Sequence, residues 1–299
     1  NARALAECAH QILNDPAGAR SAWPRAAQLA EEAFLLKTNH WRAPYVRNEL
    51  AAQMGDWRGA LAELRAAMDR MPGDLGSDEL SNTYDDCEEE ADRLERAVAQ
   101  IPALPVVADF ERLPMNRSVD GRQGWAAPWG GVLNQTQTVH NGLCALAVTG
   151  RESLVFFNCA ERTNEAIWID FYVRPARAEI DFTYAVPPLA VAAFHVRSNG
   201  LLRVYDGNAG AWTTLAHAPM PTDSWSRISI CADGASRQWA LRLNDAQIGA
   251  GLGFVHPTSV FAGVCFLHDG AKPTILDDLT VSANEPAADA DRDGLPDAW

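Results

Sequence analysis

Lysine is nearly absent from this 299-residue chain: Lys37 and Lys272 are the only two, within 25 Lys and Arg against 39 Asp and Glu. The resulting formal net charge of −14 disfavours a nucleic-acid partner, whose phosphates need clusters of basic side chains. It disfavours an anionic membrane surface for the same reason. Long apolar runs are missing too; none approaches the roughly 18 residues of a membrane-spanning helix, so no membrane insertion is expected. The catalytic signatures are equally scarce. There is no Glu-x-Asp-x-x-Glu strand, no Gly-x-Ser-x-Gly, no His-Glu-x-x-His and no CxxC. Each absence removes a chemistry: paired-carboxylate glycoside hydrolysis, a nucleophile elbow, and zinc or dithiol sites. A lyase could assemble a distant His and Tyr, such as His195 with Tyr184 or Tyr205, but no spacing demands it. A non-catalytic chain is expected.

What is present divides at Pro102-Ala-Leu-Pro105. Before it, apolar residues recur at three- and four-residue spacing, as in Ala4-Leu5-Cys8-Ile12 and Leu61-Leu64-Ala67-Met68, the period of an amphipathic helix. After it come short alternating runs separated by Gly, Asn, Asp and Pro. They are expected as strands at 106–111, 143–148, 153–158, 166–173, 189–196, 201–205, 225–231, 238–243, 260–267 and 274–281. The fold class is therefore α+β in two domains: an α-helical bundle at 1–101, a linker at 102–105, an all-β sandwich at 106–284, and an acidic tail at 285–299.

Three stretches carry resemblances. Residues 54–72, with Gly55 at a turn, Trp57, small Ala60 and Ala67 and the terminator Pro72, resemble the second half of a tetratricopeptide repeat. The order Asp109-Phe-Glu, Gly142-Leu-Cys-Ala-Leu, Trp168-Ile-Asp-Phe-Tyr, Asn199-Gly-Leu, Trp225-Ser-Arg-Ile, Asn244 with Ile248, and Leu276-Asp-Asp-Leu resembles a concanavalin-like or laminin-G-like jelly roll. That resemblance spans nearly all of 105–284. Asp289, Asp291 and Asp293 before Gly294, with Asp297 at the ninth position, resemble the Asp-rich calcium loops of thrombospondin type 3 and dockerin-like segments. Alternate carboxylates followed by a glycine suit an oxygen-ligated Ca2+, although the bidentate acid at the twelfth position is missing. The jelly-roll resemblance implies a second-rank calcium site, where Asp109 or Glu111 of the first strand meets Asp277 or Asp278 of the last. Because Asp277 and Asp278 would face opposite sides of a regular strand, only one is expected to reach it.

Six cysteines, an even number, allow disulfides or buried thiols. A hairpin centred on Arg151-Glu152 would set Cys144 opposite Cys159, within disulfide reach. Cys8–Cys87 would follow by exclusion, and Cys231–Cys265 would link two further strands. Such bridges would mean an oxidising compartment; with Asn1 as first residue, the expectation is a bacterial secreted or cell-surface protein relieved of its signal peptide.

Aromatic residues beside Asn and Asp suit sugar recognition, in which flat apolar faces meet C–H groups and polar groups hold the rim. Trp125 and Trp129 fall in a Gly-rich loop, and Tyr205, Asn208 and Trp212 surround a second turn. Trp168, Trp225 and Trp239 read as core. The principal expectation is a structural or adhesive subunit assembling with copies of itself or another surface protein through the helical domain and tail, as a filament or surface layer. The alternative is a carbohydrate-binding module of a secreted polysaccharide-degrading protein, with glycans as partners.

Overall fold

The computed structural model describes residues 2–13, 23–36, 40–53, 55–71, 78–176, 190–222, 224–256, 260–268, 270 and 272–288. The chain forms two compact units, 1–101 and 102–299.

The first unit is helical: α1 (Ala2–Leu13), α2 (Trp23–Leu36), α3 (Arg42–Gln53), α4 (Trp57–Met68) and α5 (Asp78–Ala99). Alanines dominate where α1, α2 and α3 meet; Ala6, Ala9, Ala26, Ala30, Ala33 and Ala43 are all buried, which lets the helix axes approach closely. Gly55, at φ +72°, turns α3 into α4. Asp56 caps α4 by accepting the Gly59 N–H at 2.8 Å. Trp57, Ala60, Leu64 and Ala67 then face inward at the helical period. Among the described residues no helix is long and apolar enough to cross a membrane.

The second unit is a β-sandwich. Its strands are β1 (Val106–Ala108), β2 (Trp125–Gln135), β3 (Ala145–Thr163), β4 (Ala166–Arg174), β5 (Phe194–Val196), β6 (Leu202–Asp206), β7 (Ala211–Thr214), β8 (Ser226–Asp233), β9 (Gln238–Leu243), β10 (Ala246–Gly253), β11 (Val260–His268) and β12 (Thr274–Ser282). One sheet runs β10-β9-β8-β4-β12-β3-β11, with β1 on β12 and β2 on β3; the other is β5-β6-β7. Both contribute to one core, in which Ile167, Ile169, Phe171, Ile228, Ile230 and Trp239 meet Leu202 and Val204. The large sheet curls over itself, since Phe171 of β4 and Phe266 of β11 meet edge-on at 5.2 Å.

The expected hairpin at 151–152 does not form. β3 is one 19-residue strand because a single partner, β2, pairs with both halves: Gln135–Gly131 with 145–149 and Trp129–Trp125 with 154–157. Both strands bend together where the register shifts, at Gly130 (φ +81°) and Gly150 (φ +87°). A Cβ on Gly130 would stand 1.9 Å from Ser153 Oγ. Across the bend the inward positions switch from Leu146 and Val148 to Val155, Phe157 and Cys159.

That geometry separates the expected cysteine pairs, and all six sulfurs are thiols. Cys144 precedes β3 and Cys159 stands within that strand beyond the bend. Cys231 of β8 and Cys265 of β11 stand on strands with β4, β12 and β3 between them in the sheet order. Each also alternates with core residues, Ile230 and Ala232 around one and Val264 and Phe266 around the other, so both point away from the core. Cys8 is exposed on α1 while Cys87 is buried on α5. Burial, then Asp86, Glu49 and Glu90, push the Cys87 thiol up to about 11, which keeps it protonated and unreactive.

Candidate functional site

The β5-β6-β7 sheet has two unlike faces. Residues paired across an antiparallel ladder share a face, and Phe194 with Val204 and Val196 with Leu202 pack into the core. The intervening pairs, His195 with Arg203, Arg203 with Thr214, and Tyr205 with Trp212, make the other face. There Tyr205 and Trp212 meet edge-on, ring centroids 5.5 Å apart and planes at 82°. His195 leans on Trp212 from the far strand at 5.0 Å. His195, Arg203, Tyr205 and Trp212 are all half-buried and Thr214 is exposed, so the face is a solvent-accessible aromatic platform with a guanidinium in it.

The sequence positions that platform through the turn after β6. Asp206 Oδ1 accepts the N–H groups of Asn208 at 3.0 Å and Gly253 at 2.9 Å, and Asn208 Nδ2 donates to Gly251 O at 3.0 Å. The turn is thereby fastened onto β10. Glycine is required on both sides of this contact: a Cβ on Gly207 would lie 1.8 Å from Phe254 O, and one on Gly253 2.3 Å from the Asn208 N. At the opposite end His217 holds β6 in place. Its Nε2 accepts the Leu202 N–H at 2.7 Å, so Nδ1 carries the proton it donates to Ala218 O at 2.6 Å.

Of the glycan candidates, Tyr205 and Trp212 are brought together. Asn208 lies beside them with its amide nitrogen committed to Gly251 O. Trp125 is corrected: it is 1% exposed, held between Phe110 at 5.5 Å and Phe157 at 4.8 Å. The stretch read as a Gly-rich loop is β2, whose inward parity buries that ring. Trp129 stands in the same strand opposite Leu154. His195 and Arg203 complete the platform. Their signal was the alternation itself, since both occupy outward positions of strands whose inward residues are Phe, Val and Leu.

The expected core tryptophans divide. Trp239 is in the core and donates its indole N–H to Gly253 O at 3.1 Å. Trp168 and Trp225 lie on the outer side of the large sheet. Arg242 covers Trp168 at 4.8 Å, and Trp225 packs on Ala145, Ala147 and Ile275. Both occupy the solvent-side positions of the alternation, and the loop around Val139 and the 285–287 segment cover that side.

The second-rank calcium residues also adopt an arrangement the alternation did not give. A bulge follows Asp277, with Asp278 at φ +50°, and both carboxylates turn to His140. Asp277 accepts the N–H groups of His140 at 2.8 Å, Asn141 at 3.3 Å and Asp278 at 2.9 Å. Asp278 meets His140 Nδ1 at 2.8 Å, and that ring stacks on Tyr172 at 3.6 Å. Glu111 takes the Leu143 and Cys144 N–H groups at 2.6 and 2.8 Å, while Asp109 caps Glu111 N. Asp109 also lines a cleft of about 310 Å³ with Arg112 and Gln123. Each of the four carboxylates thus holds a loop N–H group or the His140 ring, and no group of three potential metal ligands converges among the described residues. Asp289, Asp291, Asp293 and Asp297 lie outside the described residues.

Burial, with Asp278 adding to it, pushes the Asp277 carboxyl up to about 7 against the three N–H groups. The folded chain therefore holds a proton that the unfolded chain releases near pH 4. Stability from this group is full below that pH and is lost as pH rises toward 7, by up to about 1.4 kcal/mol per pH unit. Thermal unfolding followed between pH 7.5 and 5.5 should show a midpoint rising as pH falls, and Asp277→Asn should flatten the trend. An identical profile in the two proteins would contradict the assignment.

No family model matches the sequence, and no curated protein matches it either. Among solved structures the chain is similar to a sialidase (TM-score 0.40, 10% identity, 54% of this chain and 17% of that one). It is similar to a carbohydrate-binding module, CBM66 from Bacillus subtilis (0.36, 13%, 53% and 95%). A third is domain 4 of AbnA, an extracellular arabinanase from Geobacillus stearothermophilus, in complex with arabinotriose (0.35, 14%, 60% and 84%). The chain spans less than a fifth of the sialidase. Likeness at this level assigns nothing to this chain.

Proposed function

We propose that the β-sandwich is a non-catalytic carbohydrate-binding domain of a secreted protein, with the outer face of β5-β6-β7 as its binding surface. The observation that carries this reading is the solvent-accessible trio of His195, Tyr205 and Trp212 on one rigid sheet face. Aromatic rings offer flat apolar area to the C–H side of a sugar at small entropic cost, and His195, Arg203 and Thr214 supply polar partners at the rim. Strands backed by a packed core hold these groups in place before a ligand arrives, which limits the ordering cost of binding. This reading is preferred to a self-assembling subunit because the described residues present a defined aromatic face suited to a sugar.

A glycan array probed with the full chain tests it. The native protein should bind at least one glycan class, and Trp212→Ala should weaken that binding by at least about tenfold, the loss of roughly 1.4 kcal/mol. Tyr205→Ala should weaken it less, and both variants should keep the native unfolding midpoint within a few degrees. Absence of binding to every glycan by the native protein, or full binding by Trp212→Ala, would sink the proposal.

A further inference from the structure

Arg203 sits at the centre of the aromatic face. Its cross-strand neighbours are His195 on one side and Thr214 on the other, and two residues along β6 stands Tyr205 with Trp212 beside it. Four other arginines of this acidic chain are met by carboxylates, Arg42 by Glu7 at 3.2 Å, Arg47 by Glu63 at 2.7 Å, Arg227 by Asp170 at 2.9 Å and Arg242 by Glu285 at 2.6 Å, whereas the half-buried Arg162, Arg174 and Arg203 are not, among the described residues. Of these three only Arg203 stands on the aromatic face. Arg203 has neither an ion pair nor a side-chain hydrogen bond among the described residues. Arg203 is half-buried, so its stem is packed on the face, and a guanidinium without a counter-charge gains by acquiring an anion. Its five N–H donors form a rigid planar fork that matches a planar carboxylate through two parallel hydrogen bonds.

We infer that this face selects acidic glycans, in which the carboxylate of a hexuronic or nonulosonic acid residue is bound by Arg203 while its ring rests on Trp212 and Tyr205. The inference rests on the carbohydrate-binding reading above and narrows its ligand class. A neutral sugar would use the rings and leave the guanidinium unmatched; a sugar acid uses both. The negative charge of the whole chain does not oppose this at contact distance, because exposed charges beyond about 8 Å are screened at physiological ionic strength.

The test uses calorimetric titration of the full chain with ligands that differ only in charge. Oligogalacturonate is compared with its methyl ester, and sialyllactose with the methyl ester of its carboxyl group, so that the two arms separate the hexuronic from the nonulosonic source. A sulfated disaccharide serves as a non-planar anion. At least one acid should bind at least about tenfold more tightly than its neutral counterpart. Arg203→Gln should bring the two within about twofold of each other, the acid losing more affinity than its neutral counterpart. Arg203→Lys, which keeps the charge but not the fork, should restore only part of the preference and also checks that the position tolerates substitution. Equal affinity for acid and ester in the native protein, an undiminished preference in Arg203→Gln, or tighter binding of the sulfated sugar would each overturn this inference and leave carbohydrate binding standing. Failure to bind any of these ligands or any glycan on the array would remove both.

Discussion

Trp125→Ala is expected to destabilise the β-sandwich by about 3–5 kcal/mol, lowering the unfolding midpoint of a domain of this size by roughly 6–20 °C. The ring is 1% exposed and fills the space between Phe110 and Phe157. Truncation removes a large apolar area and leaves a cavity that β2 and β3 cannot close, since both are held by a shared ladder. Trp125→Phe should recover much of the loss. Calorimetry of the two variants checks this, and glycan titration of the folded fraction should show unchanged affinity. A loss below about 1 kcal/mol, or a binding defect at constant stability, would return Trp125 to the surface role its Gly-rich context suggested.

Arg227→Met should cost a similar amount, for an electrostatic reason. Arg227 holds Asp170 through Nε at 3.0 and 3.1 Å and Nη2 at 2.9 Å, with Ser229 donating to the same carboxylate at 2.5 Å. Its remaining donors reach Asp245 and Ala287 O at 2.9 and 2.8 Å. Removing the cation strands a carboxylate that is 7% exposed, which typically costs about 3–5 kcal/mol. Asp170→Leu with Arg227→Met should regain most of that, because a packed apolar pair replaces a packed ionic one. The single variant should also release the 285–287 segment to limited proteolysis. Equal stability of the single and double variants would show that the pair is not what matters.

The alternation of apolar residues made most of the sheet legible. The strands at 166–173, 201–205, 238–243 and 274–281 stand close to where their period puts them, because one face of each is buried against the core. Where glycine decided the matter, sequence reasoning misjudged it. Gly130, Gly131 and Gly150 read as loop and turn signals, yet they sit at a bend shared by two paired strands, where absence of a side chain permits close approach instead of reversal. β7 and β10 were missed because Ala211–Thr214 and Ala246–Gly253 have little apolar alternation of their own. Asp278 could not be read from period two, since a bulge is the one place where that period fails. The aromatic face was half legible. Tyr205 and Trp212 flank a recognisable Asp-Gly-Asn turn, whereas His195 joins them through a strand pairing that no local spacing records. Arg203 acquires its meaning only from the strand pairings that set it between His195 and Thr214, beside Tyr205 and Trp212.

The pairing of β1 with β12 sets how this domain sits on a thread of polypeptide. Val106 lies opposite Val281 and Ala108 opposite Leu279, so residues 105 and 282 stand side by side at the same end of this strand pair. Tension applied between residues 105 and 282 therefore falls on the β1–β12 hydrogen bonds nearest that end first and opens them in succession, as in unzipping, instead of loading the whole ladder in shear.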